Sequence, residues 1–291
     1  MKPAPFEYHA PDSAAGAVAL LAELGDGAKV IAGGQSLVPV LAMRLAVFDH
    51  LIDVRRITAL RGISERNDSV WIGAGTTEAE VGGSELIARR VPLLSWATPL
   101  IGHFQIRNRG TIGGSLAHAD AAAEYPAVAL ALEATMEALS PRGQRTIPAA
   151  EFFTGIWETA LEPDELLTGI TFPAATGRTG LAIEEFARRH GDFAVAGAAV
   201  AVTLDDAATI SRCAISLFGL GPTPLRAATA EASALGVPAS EIDREGIGRA
   251  AVADLDSVPS DLHGTADYRK KVGAAMVARA WEKAVKEAAN G

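Results

Sequence analysis

Two short runs in this 291-residue chain combine residue types suited to holding an anion: Ala32-Gly33-Gly34-Gln35-Ser36 and Thr111-Ile112-Gly113-Gly114-Ser115. Glycine lets the chain turn through left-handed conformations and lets a ligand approach the backbone. Successive N–H groups in such a turn form a concave anion site, and a helix starting after it adds to the attraction. Gln35 and Ser36 supply further hydrogen-bonding groups. A single Gly-Gly pair is more often only a tight turn. Two of them, each with a hydroxyl residue just after the glycines, predict a diphosphate held from both sides. Neither run is a dinucleotide-binding G-x-G-x-x-G or a phosphate-binding G-x-x-x-x-G-K-[ST] motif. Other chemistry is not visible: no defensible Ser–His–Asp set, no metal-ligand cluster and one cysteine, Cys213.

The elements that must position the two turns follow from periodicity and punctuation. Pro11-Asp12-Ser13 reads as a helix start, with Ala17, Leu20, Leu21 and Leu24 at helical spacing after it. Lys29 to Ala32 reads as a short strand entering the first turn, Leu37 to Leu45 as a helix leaving it, and His50 to Val54 as a strand. Val70 to Ala74 is another strand, and Thr77 with Glu80 forms a capping box for the next helix. Arg107-Asn108-Arg109-Gly110 is a polar turn before the second glycine run. A helix is expected over Ala121 to Leu132, and strands over Thr135 to Leu139 and Thr168 to Pro173. The small, flexible run 174–180 marks the main boundary. Strands at Val195–Leu204 and Ile210–Gly219, then helices near 226–236, 243–254 and 268–288, complete the second half.

Composition narrows the function. Hydrophobic residues make up 49%, enough for a sizeable core, and the formal net charge is −9. An acidic chain without a basic face is a poor nucleic-acid binder. One cysteine excludes an internal disulfide and any Cys-based zinc or iron–sulfur site. No stretch approaches the roughly 20 apolar residues of a membrane span, and no apolar signal region follows Met1. A cytoplasmic location is expected.

At this point the residues carry a resemblance. Ile31 to Val40 (IAGGQSLVPV), followed by Arg44-Leu45, is similar to the first FAD motif of the medium subunits of molybdenum hydroxylases, a family that includes the carbon monoxide dehydrogenase flavoprotein and the FAD domain of xanthine dehydrogenase. Ile106 to Asp120 (IRNRGTIGGSLAHAD), then Glu124-Tyr125-Pro126-Ala127, resembles the second motif. Phe152-Phe153-Thr154-Gly155, Glu162 to Leu167 and Arg188 to Ala194 also match in order and spacing, so the resemblance spans almost the whole chain. One departure is Ala121, where the family often has proline. There is no cysteine-rich insertion of the kind some relatives use for an extra cluster.

The resemblance implies an α+β fold of the vanillyl-alcohol-oxidase/PCMH type. It would comprise an FAD-binding domain over 1–177, with subdomains of about 1–55 and 56–177. A C-terminal domain over 178–291 would follow, an antiparallel sheet with helices. It implies non-covalent FAD binding by Ile31, Ala32, Gly33, Gly34, Gln35, Ser36, Leu37 and Val38, and by Thr111, Ile112, Gly113, Gly114 and Ser115 from the other subdomain. Glu124 falls where the family hydrogen-bonds the ribityl chain; its bland reading is a solvated helix residue. Leu167 would lay its backbone against the flavin ring, and Ile101 would be an apolar neighbour of the cofactor. His118 and Asp120 would line the pocket. Asp192 would either touch the flavin region or hold a turn. His103 and His190 read as packing or interface residues.

Functionally, the resemblance implies an electron relay. The molybdenum cofactor and two-iron two-sulfur clusters are expected on partner chains, a large and a small subunit, assembled as a dimer of heterotrimers. Electrons would leave this chain's FAD for NAD, a quinone or oxygen. The complex would be cytoplasmic or peripheral to the inner membrane. Two other readings stay open on the sequence: a free-standing FAD-dependent oxidoreductase of the same fold class, and a non-catalytic assembly subunit.

Overall fold

Ser13 accepts a hydrogen bond from the Gly16 N–H and so starts the helix Ala14–Leu24, which presses Ala17, Val18 and Leu21 onto a small sheet. That sheet is parallel and three-stranded. His50–Asp53 lies at its centre, with Glu7–His9 on one side and Ala28–Ile31 on the other. The strand Glu7–His9 lacks the apolar signal of its neighbours and was not expected. The computed structural model describes residues 2–290.

Past this sheet, the chain builds a five-stranded antiparallel sheet from Ile63–Arg66, Ser69–Gly73, Leu166–Pro173, Thr135–Ser140 and Gly143–Pro148, in that spatial order. Helices between Glu78 and Ala131 cover one of its faces with Ile87, Leu93, Leu94, Ile112, Leu116 and Tyr125. The capping box at Thr77 is present: Thr77 Oγ1 accepts from the Glu80 N–H, and the Glu80 carboxylate accepts from the Thr77 N–H. The expected helix from Ala121 begins three residues later, at Glu124, because Asp120 Oδ1 accepts from the Ala122 N–H and holds a turn ahead of it. All eight residues of Glu124–Ala131 are buried. A helix apolar on every side must lie between layers, and this one touches the strands Ala196–Leu204 and Ile210–Phe218 of the next sheet.

That sheet is antiparallel, in the order Thr179–Phe186, Ala196–Leu204, Ile210–Phe218, Leu225–Arg226. Its other face carries the helices Ala228–Ala234, Arg244–Ala253 and Ala266–Asn290, with Met276, Val277, Ala280, Trp281 and Ala284 inward. Gly180 marks how closely the last helix lies: a Cβ there would sit 1.8 Å from the Ala284 carbonyl oxygen. Leu181, Ala199, Ala201 and Ala214 pack into the same core cluster as the five-stranded sheet, so the two halves share apolar contact. The expected mixed fold, with an antiparallel C-terminal sheet and helices, is the fold observed.

Candidate functional site

The two glycine turns lie against each other. A Cβ placed on Gly33 would fall 2.2 Å from the Arg109 carbonyl oxygen and 2.7 Å from Gly110 Cα. A Cβ on Gly114 would come within 3.8 Å of Ala32 Cβ. The strand Ala28–Ile31 delivers the first turn, and an antiparallel bridge between Thr77 and Thr111 fixes the second.

The turns are not equivalent, and here the structure revises the symmetric cradle expected from sequence. In the second turn the N–H groups of Ile112 to Ser115 are spoken for. Ile112 donates to Thr76 O, Gly113 to Ala74 O at 2.9 Å, Gly114 to Thr111 Oγ1 at 3.0 Å and Ser115 to Thr111 O. In the first turn the N–H groups of Gly33, Gly34, Gln35, Ser36 and Leu37 have no acceptor among the described residues. Gly34 stands at φ +75°, the conformation that lets consecutive N–H groups point into one concavity. Unpaired donors half-shielded from water are costly unless a ligand accepts from them. An anionic diphosphate fits this run.

Beside the turns is a cleft of about 120 Å³, lined by Ala32, Val54, Gly75, Thr77, Asn108 and Thr111 and by the arginines Arg55, Arg61 and Arg109. Arg55 is held rigidly. Its Nε and Nη2 donate to the Asp53 carboxylate at 2.9 and 2.6 Å, and Tyr8 donates to the same group. Burial raises the Asp53 pKa, but the bonds from Arg55 and Tyr8 outweigh it and keep the carboxylate below its usual range. Arg61 donates to the Arg55 carbonyl at 2.7 Å. Three guanidinium groups beside unpaired N–H groups suit a phosphate-bearing ligand. Sequence reasoning did not single out Arg55 and Arg61. The available signal was the Arg55-Arg56 pair directly after a strand.

A larger depression of about 450 Å³ lies elsewhere, at the hairpin around Arg142 to Arg145. Both of its arginines are already matched, Arg142 with Asp164 and Arg145 with Glu165, so neither is left to take an anionic ligand.

Glu124 is 6% exposed, which overturns the solvated-helix reading. Burial, with repulsion from Glu185 next, pushes its carboxyl up to about 8. Burial likewise raises Glu78 and Glu185 to about 7, and one carboxylate oxygen of each is buried without a partner. Glu78 lies against Gly110, where a Cβ would meet its Oε2 at 2.6 Å. Orphaned acceptors grouped behind the second turn fit a ligand rich in hydroxyl donors, as the ribityl chain of FAD is. Glu78 and Glu185 were not expected; nothing in local sequence marks them, because three separate elements bring the carboxyls together.

Leu167 is buried in the main core, and its backbone pairs with Ala138 at a bulge in the central strand. The next residue, Thr168, accepts from the Ala74 N–H, and Ala74 also holds Gly113, so Leu167 is tied to the second turn through Ala74. Ile101 is half-buried on the same core, and its carbonyl accepts from Arg107 Nη1 at 2.9 Å. His118 stacks on Trp157 with rings 6.0 Å apart, and Trp157 Nε1 donates to Asp120 Oδ2. Burial depresses the His118 pKa despite Asp120 nearby. Asp192 accepts from Arg189 within a tight turn. His103 and His190 face each other, 6.5 Å apart.

Comparison with known proteins gives the same picture. Residues 4–175 match the family model described as "FAD binding domain in molybdopterin dehydrogenase", and residues 182–284 match "CO dehydrogenase flavoprotein C-terminal domain". The chain is 44% identical to the 6-hydroxypseudooxynicotine dehydrogenase complex subunit alpha of Paenarthrobacter nicotinovorans, over 99% of this chain and 97% of that one. It is 42% identical to the carbon monoxide dehydrogenase medium chain of Hydrogenophaga pseudoflava, over 96% and 97% of the two chains. A solved structure of carbon monoxide dehydrogenase from that organism superposes with a TM-score of 0.95, at 43% identity and 99% coverage of both chains. With two glycine turns packed together, one of them open to an anion, and with both family models matched in order, the chain belongs to the FAD-binding medium subunits of the molybdenum hydroxylases and is an oxidoreductase flavoprotein.

Proposed function

We propose that this chain carries electrons from iron–sulfur clusters of a partner chain to an external acceptor, in a complex whose molybdenum centre oxidises the substrate on another subunit. The observation that carries this reading is the cradle itself, with the N–H groups of Gly33 to Leu37 lacking an acceptor among the described residues beside Arg55, Arg61 and Arg109, in a chain matched over 96% of its length by a carbon monoxide dehydrogenase medium chain. FAD supplies the redox chemistry when bound. The chain's own residues hold and orient it. The N–H groups of Gly33 to Leu37, with Arg55, Arg61 and Arg109, take the diphosphate. Ile31, Ala32 and Val38 line that side, and Ile112 to Ser115 close the cradle as a packed wall. Glu124, joined by Glu78 and Glu185, accepts from the ribityl hydroxyls. Leu167 and Ile101 face the ring, and His118 and Asp120 stay with the pocket through Trp157. Residues 1–177 form the cofactor domain and 178–291 the second domain.

The partners in this reading are a large molybdenum-cofactor subunit and a small iron–sulfur subunit, paired as a dimer of heterotrimers, with NAD, a quinone or oxygen as the acceptor. The names of full-length relatives as dehydrogenase complex subunits support the assembly. No helix among the described residues is long and apolar enough to cross a membrane. The test is reconstitution. The purified chain loaded with FAD should show a flavin spectrum and oxidise none of a panel of carbon monoxide, aldehydes, purines and N-heteroaromatics. Turnover should appear when the two partner chains are added. Full turnover by the chain alone would overturn the proposal.

A further inference from the structure

We propose that Glu7, His9 and His50 bind a first-row divalent transition-metal ion on the N-terminal sheet, at a site separate from the FAD cradle. The sequence shows no metal-ligand spacing, because the ligands come from two strands, with His9 and His50 41 positions apart. The parallel pairing of Glu7–His9 with His50–Asp53 brings them together, with Glu7 directly opposite His50. Alternate residues of a strand share a face, so Glu7 and His9 project on the side that also carries His50.

The distances match coordination. His9 Nε2 is 3.2 Å from His50 Nδ1, Glu7 Oε2 is 3.5 Å from His50 Nδ1, and Glu7 Oε2 is 4.0 Å from His9 Nε2. An ion held tetrahedrally at about 2.0–2.1 Å from each imidazole nitrogen places those nitrogens about 3.3–3.4 Å apart. The rings are about three-quarters buried, while Glu7 is 74% exposed, which leaves the outward coordination position to water. Neither of the two facing nitrogens has another hydrogen-bond partner among the described residues, apart from these three groups. Two imidazoles and one carboxylate select zinc, nickel, copper or cobalt over magnesium or calcium, which take oxygen ligands.

A bound ion would join the edge strand to the central strand. That central strand ends in Asp53, which holds Arg55 at the cleft. The competing arrangement is a hydrogen bond between the two rings, and it binds no metal.

The experiment uses the full-length, untagged, FAD-loaded chain after dialysis against a chelator, titrated with zinc chloride in a calorimeter. One ion should bind per chain, and the melting temperature should rise with zinc. His9→Gln and His50→Gln should each weaken zinc binding by about tenfold or more, with flavin absorbance per chain unchanged. Glu7→Gln, at an exposed position, keeps the fold intact and should weaken binding as well. No zinc heat in the native chain, or zinc affinity unchanged from the native value in either histidine variant or in Glu7→Gln, overturns the site.

Discussion

Gly33 rests on Arg109: the space a Cβ would need at Gly33 holds the Arg109 carbonyl carbon and oxygen, at 2.7 and 2.2 Å. The glycine is therefore required for the two halves of the cradle to meet, in addition to any contact with phosphate. Gly113 has the same kind of constraint, since a Cβ there would lie 2.6 Å from the Ala74 carbonyl oxygen. Gly34 differs, because its requirement is the positive φ.

Replacing Gly33 or Gly113 with alanine should accordingly do double damage. Overpacking against backbone costs about 1–3 kcal/mol, and the displaced turn should lose FAD. Valine should be worse at both positions. Gly34→Ala should cost about 1–2 kcal/mol through strain alone, with a smaller loss of cofactor. Thermal melts and the flavin-to-protein absorbance ratio separate these effects. Unchanged flavin content in Gly33→Ala and Gly113→Val would show that the cradle is elsewhere.

Arg55→Ala should weaken FAD binding by about tenfold or more, the worth of one charge-assisted hydrogen bond. Arg55→Lys should recover only part of this, because an ammonium cannot form the two-pronged contact with Asp53. Asp53→Asn should fall between the two by loosening Arg55. Fluorescence titration of the apo chain with FAD reads all three, and wild-type affinity in Arg55→Ala would remove the arginine cleft from the site.

The buried acids make the apo chain sensitive to pH. Glu78, Glu124 and Glu185 hold their protons in the fold to about 7, 8 and 7, whereas the unfolded chain releases them near 4.5. The folded state thus binds more protons between those values, so stability falls as pH rises from about 5 to 8 and levels off above. Glu124→Gln should leave stability at pH 5 unchanged. At pH 8.5 it should stabilise the apo chain by a few kcal/mol, since each pH unit over which a proton is kept only in the fold is worth about 1.4 kcal/mol. Melting curves from pH 5 to 9 on both proteins check the sign, and a wild-type apo stability that rises over this range contradicts it.

Gly180→Ala should unseat the C-terminal helix. The Ala284 carbonyl oxygen and the Ala288 nitrogen lie 1.8 and 2.5 Å from where the methyl would be, and both are backbone atoms that cannot turn aside. A loss of about 3 kcal/mol or more is expected, read as a lower denaturation midpoint with the N-terminal cradle sequence untouched. Native stability in this variant would show that the last helix and the strand Thr179–Phe186 do not pack backbone to backbone.

Much of this was legible along the chain. Ser13 and Thr77 announced their helices because capping is local, and the apolar runs at 196–204 and 210–218 announced buried strands. The glycine turns declared themselves by composition, and a single cysteine ruled out a cluster in this chain. What the tertiary structure decided was which turn is open. Both have the same residue types, but the strand Ser69–Gly73 runs on into Ala74 and Thr76, whose carbonyls take the Gly113 and Ile112 N–H groups, while Thr111 takes those of Gly114 and Ser115, and no described residue accepts from Gly33 to Leu37. Long-range pairing likewise gathered Arg55 with Arg109, Glu78 with Glu124 and Glu185, and His9 with His50. A residue's type is fixed by sequence, but the partners left to its polar atoms are fixed by whatever the fold packs beside it. That accounting distinguishes a site from a turn.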